Sequence, residues 1–170
     1  MWFRLARIGK PPYMMGSIMR GVAAGAAGTT ALNAATYLDM VVRGRPASST
    51  PEQTVERLSD TTGTEIPGDE QHRKNRVSGL GALSGMLTGT AVGAAYGAAR
   101  GFGWQPSLPV AGAATTLAAM AGSSAPMTLL GITDPRQWSA TDWLSDLVPH
   151  LAFGATAVAT YALTGRRSNS

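Results

Sequence analysis

The chain contains no cysteine, which removes disulfides, thiol nucleophiles and thiolate metal ligands together and leaves the redox compartment unread. Histidine occurs only at His72 and His150, too far apart in sequence to suggest an imidazole metal cluster. No phosphate loop or dinucleotide fingerprint is present, so the sequence implies no cofactor, no metal and no catalytic residue. Charge is scarce at 14% of 170 residues. It is also unevenly spread. No charged side chain occurs from Gly21 to Leu38, Ser78 to Ala99 or Gly101 to Thr133, and only His150 interrupts a fourth run from Leu147 to Gly165. Long leucine-rich runs are missing as well. The apolar content comes mostly from alanine and glycine, which holds the mean hydropathy near zero.

Each uncharged run is long enough to span a hydrocarbon core, which takes about 20 helical residues. The expected fold is therefore all-α: an integral membrane bundle of four transmembrane helices with close Gly/Ala packing, over residues 17–42, 78–100, 107–131 and 141–165. A polar loop at 43–77 completes a single membrane domain of residues 1–170. Arg4, Arg7 and Lys10 precede an apolar run that continues to Val42, and the small-residue exit near Ala34 is a poor cleavage site, so an uncleaved first span is expected rather than a signal peptide. The aromatic residues agree with these limits. Trp2, Trp104, Trp138 and Trp143 lie outside the spans, and Tyr13, Tyr37, Tyr96 and Tyr161 fall near span ends, as expected of rings at headgroup level.

In the second span Gly81, Gly85, Gly89, Gly93 and Gly97 recur every four residues. Glycine costs about 1 kcal/mol against alanine in a helix in water. Five on one helix suggest a seam where backbones touch, within one chain or between chains. In the loop, Thr50, Pro51 and Gln53 read as a capped start to a short amphipathic helix, with Val55 and Leu58 on one face. The turn-rich stretch from Thr61 to Asn75, which includes His72, reads as a loose connector.

Polar groups within spans are costly and mark where chemistry would sit. Gly25, Thr29, Asn33 and Thr36 share one helical face, suited either to lining a polar path or to interhelical hydrogen bonds. Asp39 lies four residues before Arg43, in salt-bridge spacing. Ser139 and Asp142 form a capping pattern, and Asp146 and His150 then face the same way one turn apart. Beside them Pro149 removes the hydrogen bond to the Ser145 carbonyl, and in the third span Pro126 frees the Gly122 carbonyl near Ser123 and Ser124. Asn33, Asp146 and His150 are the candidate proton or ligand site. Ser145, five residues before His150, points to another helical face and offers no hydrolase dyad.

With four spans, one side carries Arg4, Arg7, Lys10, Arg20, Arg100, Arg166 and Arg167 and no acidic residue, which favours both termini in the cytoplasm. The pI of 10.0 then reflects orientation and contact with anionic lipid, since no nucleic-acid motif is present. The Pro-containing third span, followed by Leu130-Gly131-Ile132-Thr133-Asp134-Pro135 and then Asp146-Leu147-Val148-Pro149-His150-Leu151, resembles the YagU-like small inner-membrane proteins. The Pro-rich helix start from Pro46 to Pro51 resembles them too. That resemblance implies a multi-pass inner-membrane protein and carries over no catalytic residue. Two functions remain. One is a non-catalytic membrane protein acting by helix packing, through a homo-oligomer or a membrane-protein partner in the bilayer. The other is a small proton- or solute-linked transporter or channel that uses the Asp-His pair.

Overall fold

The computed structural model describes residues 11–166. Trp2, Arg4, Arg7, Lys10 and Arg167 lie outside the described residues. The described residues form an all-α fold of five helices and no strand. The helices are α1 (Pro11–Arg43), α2 (Thr50–Thr62), α3 (Glu70–Gly101), α4 (Leu108–Leu129) and α5 (Ala140–Arg166), with a short 3-10 turn at Pro135–Gln137.

Four of these helices form an up-down-up-down ring. α1 and α3 run antiparallel, with Gly21 against Gly97 and Gly25 against Gly93. Thr88 of α3 abuts Gly122 of α4, Thr116 of α4 abuts Gly154 of α5, and Phe153 of α5 closes the ring against Gly28 of α1. α2 lies outside the ring. It rests on α3, where a Cβ added at Gly81 would fall 3.1 Å from the Pro51 Cβ.

Local chemistry accounts for the helix limits. Ser139 and Asp142 make the expected reciprocal cap: Asp142 Oδ2 accepts from the Ser139 amide at 2.9 Å, and Ser139 Oγ accepts from the Asp142 amide at 3.2 Å. The cap of α2 sits one residue earlier than the sequence suggests. Ser49 rather than Thr50 is the cap residue, because its carbonyl accepts the Gln53 amide at 3.0 Å, and the Gln53 side chain also donates to Ser49 Oγ at 2.8 Å. A larger correction falls on the connector. Its second half is helical, since Asp69 accepts from the His72 amide at 2.9 Å and starts α3 at Glu70. That amide, together with the imidazole Nδ1 at 2.7 Å, holds the Asp69 carboxyl below its usual range.

Two helices, α3 and α5, are long and apolar enough to cross a membrane, against the four expected. α1 and α4 have the length, at 33 and 22 residues. Their composition is the difference: Asn33 and the threonines and glycines of α1, and the prolines, serines and threonines of α4, dilute the apolar windows.

Side-chain size runs against the pattern of a water-soluble core. The buried set joins the small Ala24, Ala111, Ala119, Ala157, Thr115 and Thr116 to Val77, Val158, Tyr96 and Tyr161, and its one large side chain under 2% exposed is Phe153. Large apolar residues face outward, including Val41, Leu83, Leu87, Leu117, Leu144 and Leu163. The tyrosines divide. Tyr13 and Tyr37 are exposed, but Tyr96 and Tyr161 are buried and pack edge to face with centroids 5.0 Å apart, so these two rings meet each other rather than the outer surface.

Candidate functional site

The register of α1 on α3 locates the site. Along the antiparallel α1–α3 contact, Gly21 meets Gly97, Gly25 meets Gly93 and Thr29 meets Gly89, each step advancing four residues on both helices. The next step pairs Asn33 with Gly85, and there the contact ends: a Cβ at Gly85 would meet nothing within 4 Å. Gly81 is covered not by α1 but by Pro51 of α2. The two helices part around this point. Between them, roofed by α2 and backed by α4 and α5, lies a cavity of about 1000 Å³.

The sequence-derived candidates converge on this space. Thr29, Asn33 and Thr36 of α1 line it, together with Asp146 and His150 of α5, so the α1 stripe and the Asp-His pair belong to one site. α3 contributes Ser84 and Thr88, α4 contributes Ser123 and Ser124, and Phe153 lines it beneath His150. Of the five glycines, Gly81, Gly85 and Gly89 border the cavity, whereas Gly93 and Gly97 lie against the α1 backbone.

His150 is buried, and both ring nitrogens are engaged. Nδ1 donates to the Asp146 carbonyl at 2.7 Å and lies 3.5 Å from Asp146 Oδ1. Nε2 lies 3.3 Å from Ser123 Oγ. That hydroxyl is also within reach of the Ala119 and Met120 carbonyls, each at 3.1 Å. The two protonation states of the ring therefore make different demands. With Nδ1 protonated by its carbonyl contact, a neutral ring needs Ser123 to donate to Nε2, which takes the hydroxyl proton away from the α4 backbone. An imidazolium donates from both nitrogens, and Ser123 keeps its backbone bond. Asp146 is less well provided. Its side chain is about 22% exposed, yet Oδ2 is sealed and has no hydrogen-bond partner among the described residues.

A charged cluster closes the α2 end. Asp39 receives Arg43 at 2.6 Å, the expected bridge, and Arg45 at 2.5 Å, a partner that helical spacing does not suggest because it lies beyond the helix. Arg43 also donates to Ser145 Oγ at 2.5 Å, tying α1 to α5. In the adjoining turn Asp134 accepts from Arg136 and Gln137, and the Arg136 guanidinium above all lowers its pKa to about 2.

The opposite end is filled. Ser17 donates to the Gly97 carbonyl at 2.7 Å and its hydroxyl lies 2.5 Å from the Tyr161 hydroxyl. Arg20 stacks over the Tyr161 ring at 4.2 Å and donates to the Tyr161 carbonyl at 2.7 Å, while Arg100 lies 5.5 Å from the same ring. Sequence reasoning missed this cluster and missed Ser123 as the partner of His150. For the latter a faint signal existed, since hydroxyls beside Pro126 fall at the depth of a histidine beside Pro149 in the antiparallel neighbour.

No protein-family model, curated protein or solved structure matches this chain.

Proposed function

We propose that the chain is a multi-pass inner-membrane protein in which α1, α3, α4 and α5 cross the bilayer, packed through glycine and alanine, and that its working part is a proton-responsive cavity for a small solute. One observation carries this reading: Asn33, Asp146 and His150, from two helices, line a single cavity of about 1000 Å³. That size suits a small-molecule site, for which about 300–1,000 Å³ is usual. The bilayer reading draws support from α3 and α5 and from outward-facing leucines around a small-residue interior. The purely basic side at both termini favours a cytoplasmic location for them.

An imidazole can carry one proton or two. In this cavity its proton decides which way the Ser123 hydroxyl points. The other titratable and charged groups lining the cavity are Tyr37 and Arg43 of α1, Arg45 of the following loop, and Asp142 and Asp146 of α5; α2, α3 and α4 line it with hydroxyl, glycyl and apolar groups. Ser123, His150 and Asp146 follow the order of a nucleophilic triad, but they are read here as a proton site. All three sit inside helices, where backbone amides are consumed by the helix and none is left to cradle an oxyanion. The resemblance to YagU-like proteins fits this reading through Asp146 and His150, the residues it shares with the cavity.

The test is dissipation of a pH gradient in proteoliposomes holding wild type or His150→Ala at equal insertion. A leak that disappears in the variant is the expected result. Tight vesicles with both proteins would sink the reading. A second reading, association with another copy or another membrane protein, draws on the exposed row Leu80, Leu83 and Leu87 of α3. It has less behind it, because Gly89, Gly93 and Gly97 are already covered within the chain.

A further inference from the structure

The geometry points to a monovalent organic cation with an apolar body as the ligand class of the cavity, held at the cavity-facing edge of Asp146. This inference rests on the reading of the cavity as a solute site. It begins from a charge inventory. The lining carries two cations, Arg43 and Arg45, and two anions, Asp142 and Asp146.

Both arginines are already occupied. Arg43 gives Nε and Nη2 to Asp39 at 2.6 and 2.7 Å and also reaches Ser145. Arg45 gives Nε to Asp39 at 2.5 Å and Nη1 to the Pro46 carbonyl at 3.1 Å. An anionic ligand would meet both guanidiniums already set against the Asp39 carboxylate. Asp142 is likewise engaged, by the hydroxyl and amide of Ser139 at 2.7 and 2.9 Å. With Asp39 and Asp142 set against the two arginines, that group balances.

Asp146 is left over. Its neighbour His150 can neutralise it only when protonated; when the ring is neutral the carboxylate has no counter-charge, its Oδ2 is sealed without a hydrogen bond among the described residues, and only the exposed remainder of the side chain faces a ligand. A carboxylate in so poor a setting is stabilised strongly by a cation. Glu52 is the other carboxylate with an unpartnered buried oxygen, but it faces Ser78 of α3 and does not line this cavity.

The rest of the lining sets the body of the ligand. Tyr37 and Trp138 offer aromatic rings, and Leu32, Met86 and Met127 offer apolar surface, over the buried Phe153. Rings attract a cation that is weakly hydrated, and methionine adapts to irregular apolar shapes. A bare metal ion would leave these walls unused. A hydrophobic organic cation fills them and brings the missing charge. Proton and ligand then compete for Asp146, because protonated His150 supplies the same charge.

The test uses the full chain in lipid nanodiscs and tetraphenylphosphonium as the probe, with the uncharged triphenylphosphine oxide as the competitor. Saturable binding is expected in wild type. It should weaken by about tenfold or more in Asp146→Asn, resist displacement by the uncharged analogue, and weaken on acidification. Absence of saturable binding, equal binding by Asp146→Asn, or equal displacement by the neutral compound each overturns the proposal. If Asp146→Asn does not fold by circular dichroism, the wild-type contrast between cation and neutral analogue still decides. The two readings fail separately. A His150-dependent proton leak without tetraphenylphosphonium binding keeps the cavity reading and removes the cation, whereas Asp146-dependent binding with no such leak keeps the cation site and removes the proton role.

Discussion

The same glycine repeat runs along both ends of α3, and the two ends have opposite fates. From Gly93 to Gly97 the α1 backbone fills the groove that the glycines leave, Gly89 meets the side chains of Thr29 and Phe153, and at the far end Ser17, Tyr96 and Tyr161 complete a buried cluster. From Gly81 to Gly85 the groove is not filled by α1: Pro51 covers Gly81, and Gly85 has nothing within 4 Å. A run of small residues therefore makes a smooth face without saying what covers it. One end uses that face for contact, and the other uses it for space. The partition is a tertiary event, because α2 braces α3 at Gly81, where the register would otherwise continue along α1.

The sharpest way to break this comparison is to put one side chain at each end. A Cβ at Gly93 would sit 2.5 Å from the Gly25 Cα and closer still to the Gly21 carbonyl oxygen. Neither obstacle is a flexible side chain that could move aside. Gly93→Leu should cost about 3 kcal/mol or more through overpacking, read as a collapse of the thermal midpoint in detergent. Gly85→Leu should leave that midpoint nearly unchanged, with the new side chain in the cavity. Equal losses at the two positions would mean that the ends are alike.

Next in size is the residue at the boundary. Phe153 is 1% exposed, abuts Gly28 and Gly89, and lines the cavity. Phe153→Ala should cost about 3–5 kcal/mol and extend the cavity toward the filled end. A midpoint within experimental error of wild type would show that the wall is not needed.

Much of the local order was legible in the sequence, and the places where it was not have a common cause. Ser139 and Asp142 were readable because a capping box is closed within four residues, and Asp146 and His150 because one helical turn aligns them. The first turns of α3 were not, since Glu70 to Arg76 is all polar and looks like loop; Asp69 at the cap was the available sign. The cavity was out of reach for a different reason. It depends on Pro51 meeting Gly81 and on Ser123 facing His150, contacts between helices that no spacing along the chain encodes. Tyr96 and Tyr161 misled for the same reason: near a span end, lipid and a neighbouring helix make the same demand on a ring, and only tertiary packing shows that the neighbour takes it.

A smaller effect tests the filled end alone. Tyr161→Phe keeps the ring beneath Arg20 and removes only the hydroxyl contact with Ser17. The expected loss is about 1 kcal/mol, the usual net worth of one hydrogen bond. Because Ser17 retains the Gly97 carbonyl as acceptor, it is not left unsatisfied. A loss several times larger would indicate that the hydroxyl pair, rather than glycine contact, is what holds the filled end together.

The smallest expected effect belongs to the α2 end, where Asp134 caps the turn before α5. Its pKa is lowered from 3.8 to about 2, chiefly by the Arg136 side chain and then by the Arg136 amide and Gln137. A carboxylate that is more acidic when folded binds its proton less tightly in that state, so lowering the pH favours the unfolded chain. The contribution is whole above pH 3.8 and fades as pH falls toward about 2. Asp134→Asn should abolish the part of the acid sensitivity that lies in this window, measured as the difference between the two proteins in thermal midpoint against pH. The Asp134 side chain is partly exposed and its Arg136 partner is exposed, so added salt should shrink the difference. The Asp69 carboxyl, also lowered by its His72 contacts, is common to both proteins, which makes the wild-type minus variant curve the quantity to read. If that curve is flat from pH 3.8 down to about 2, the turn is held by backbone geometry at Gly131 and Pro135, and the open end owes nothing to this carboxylate.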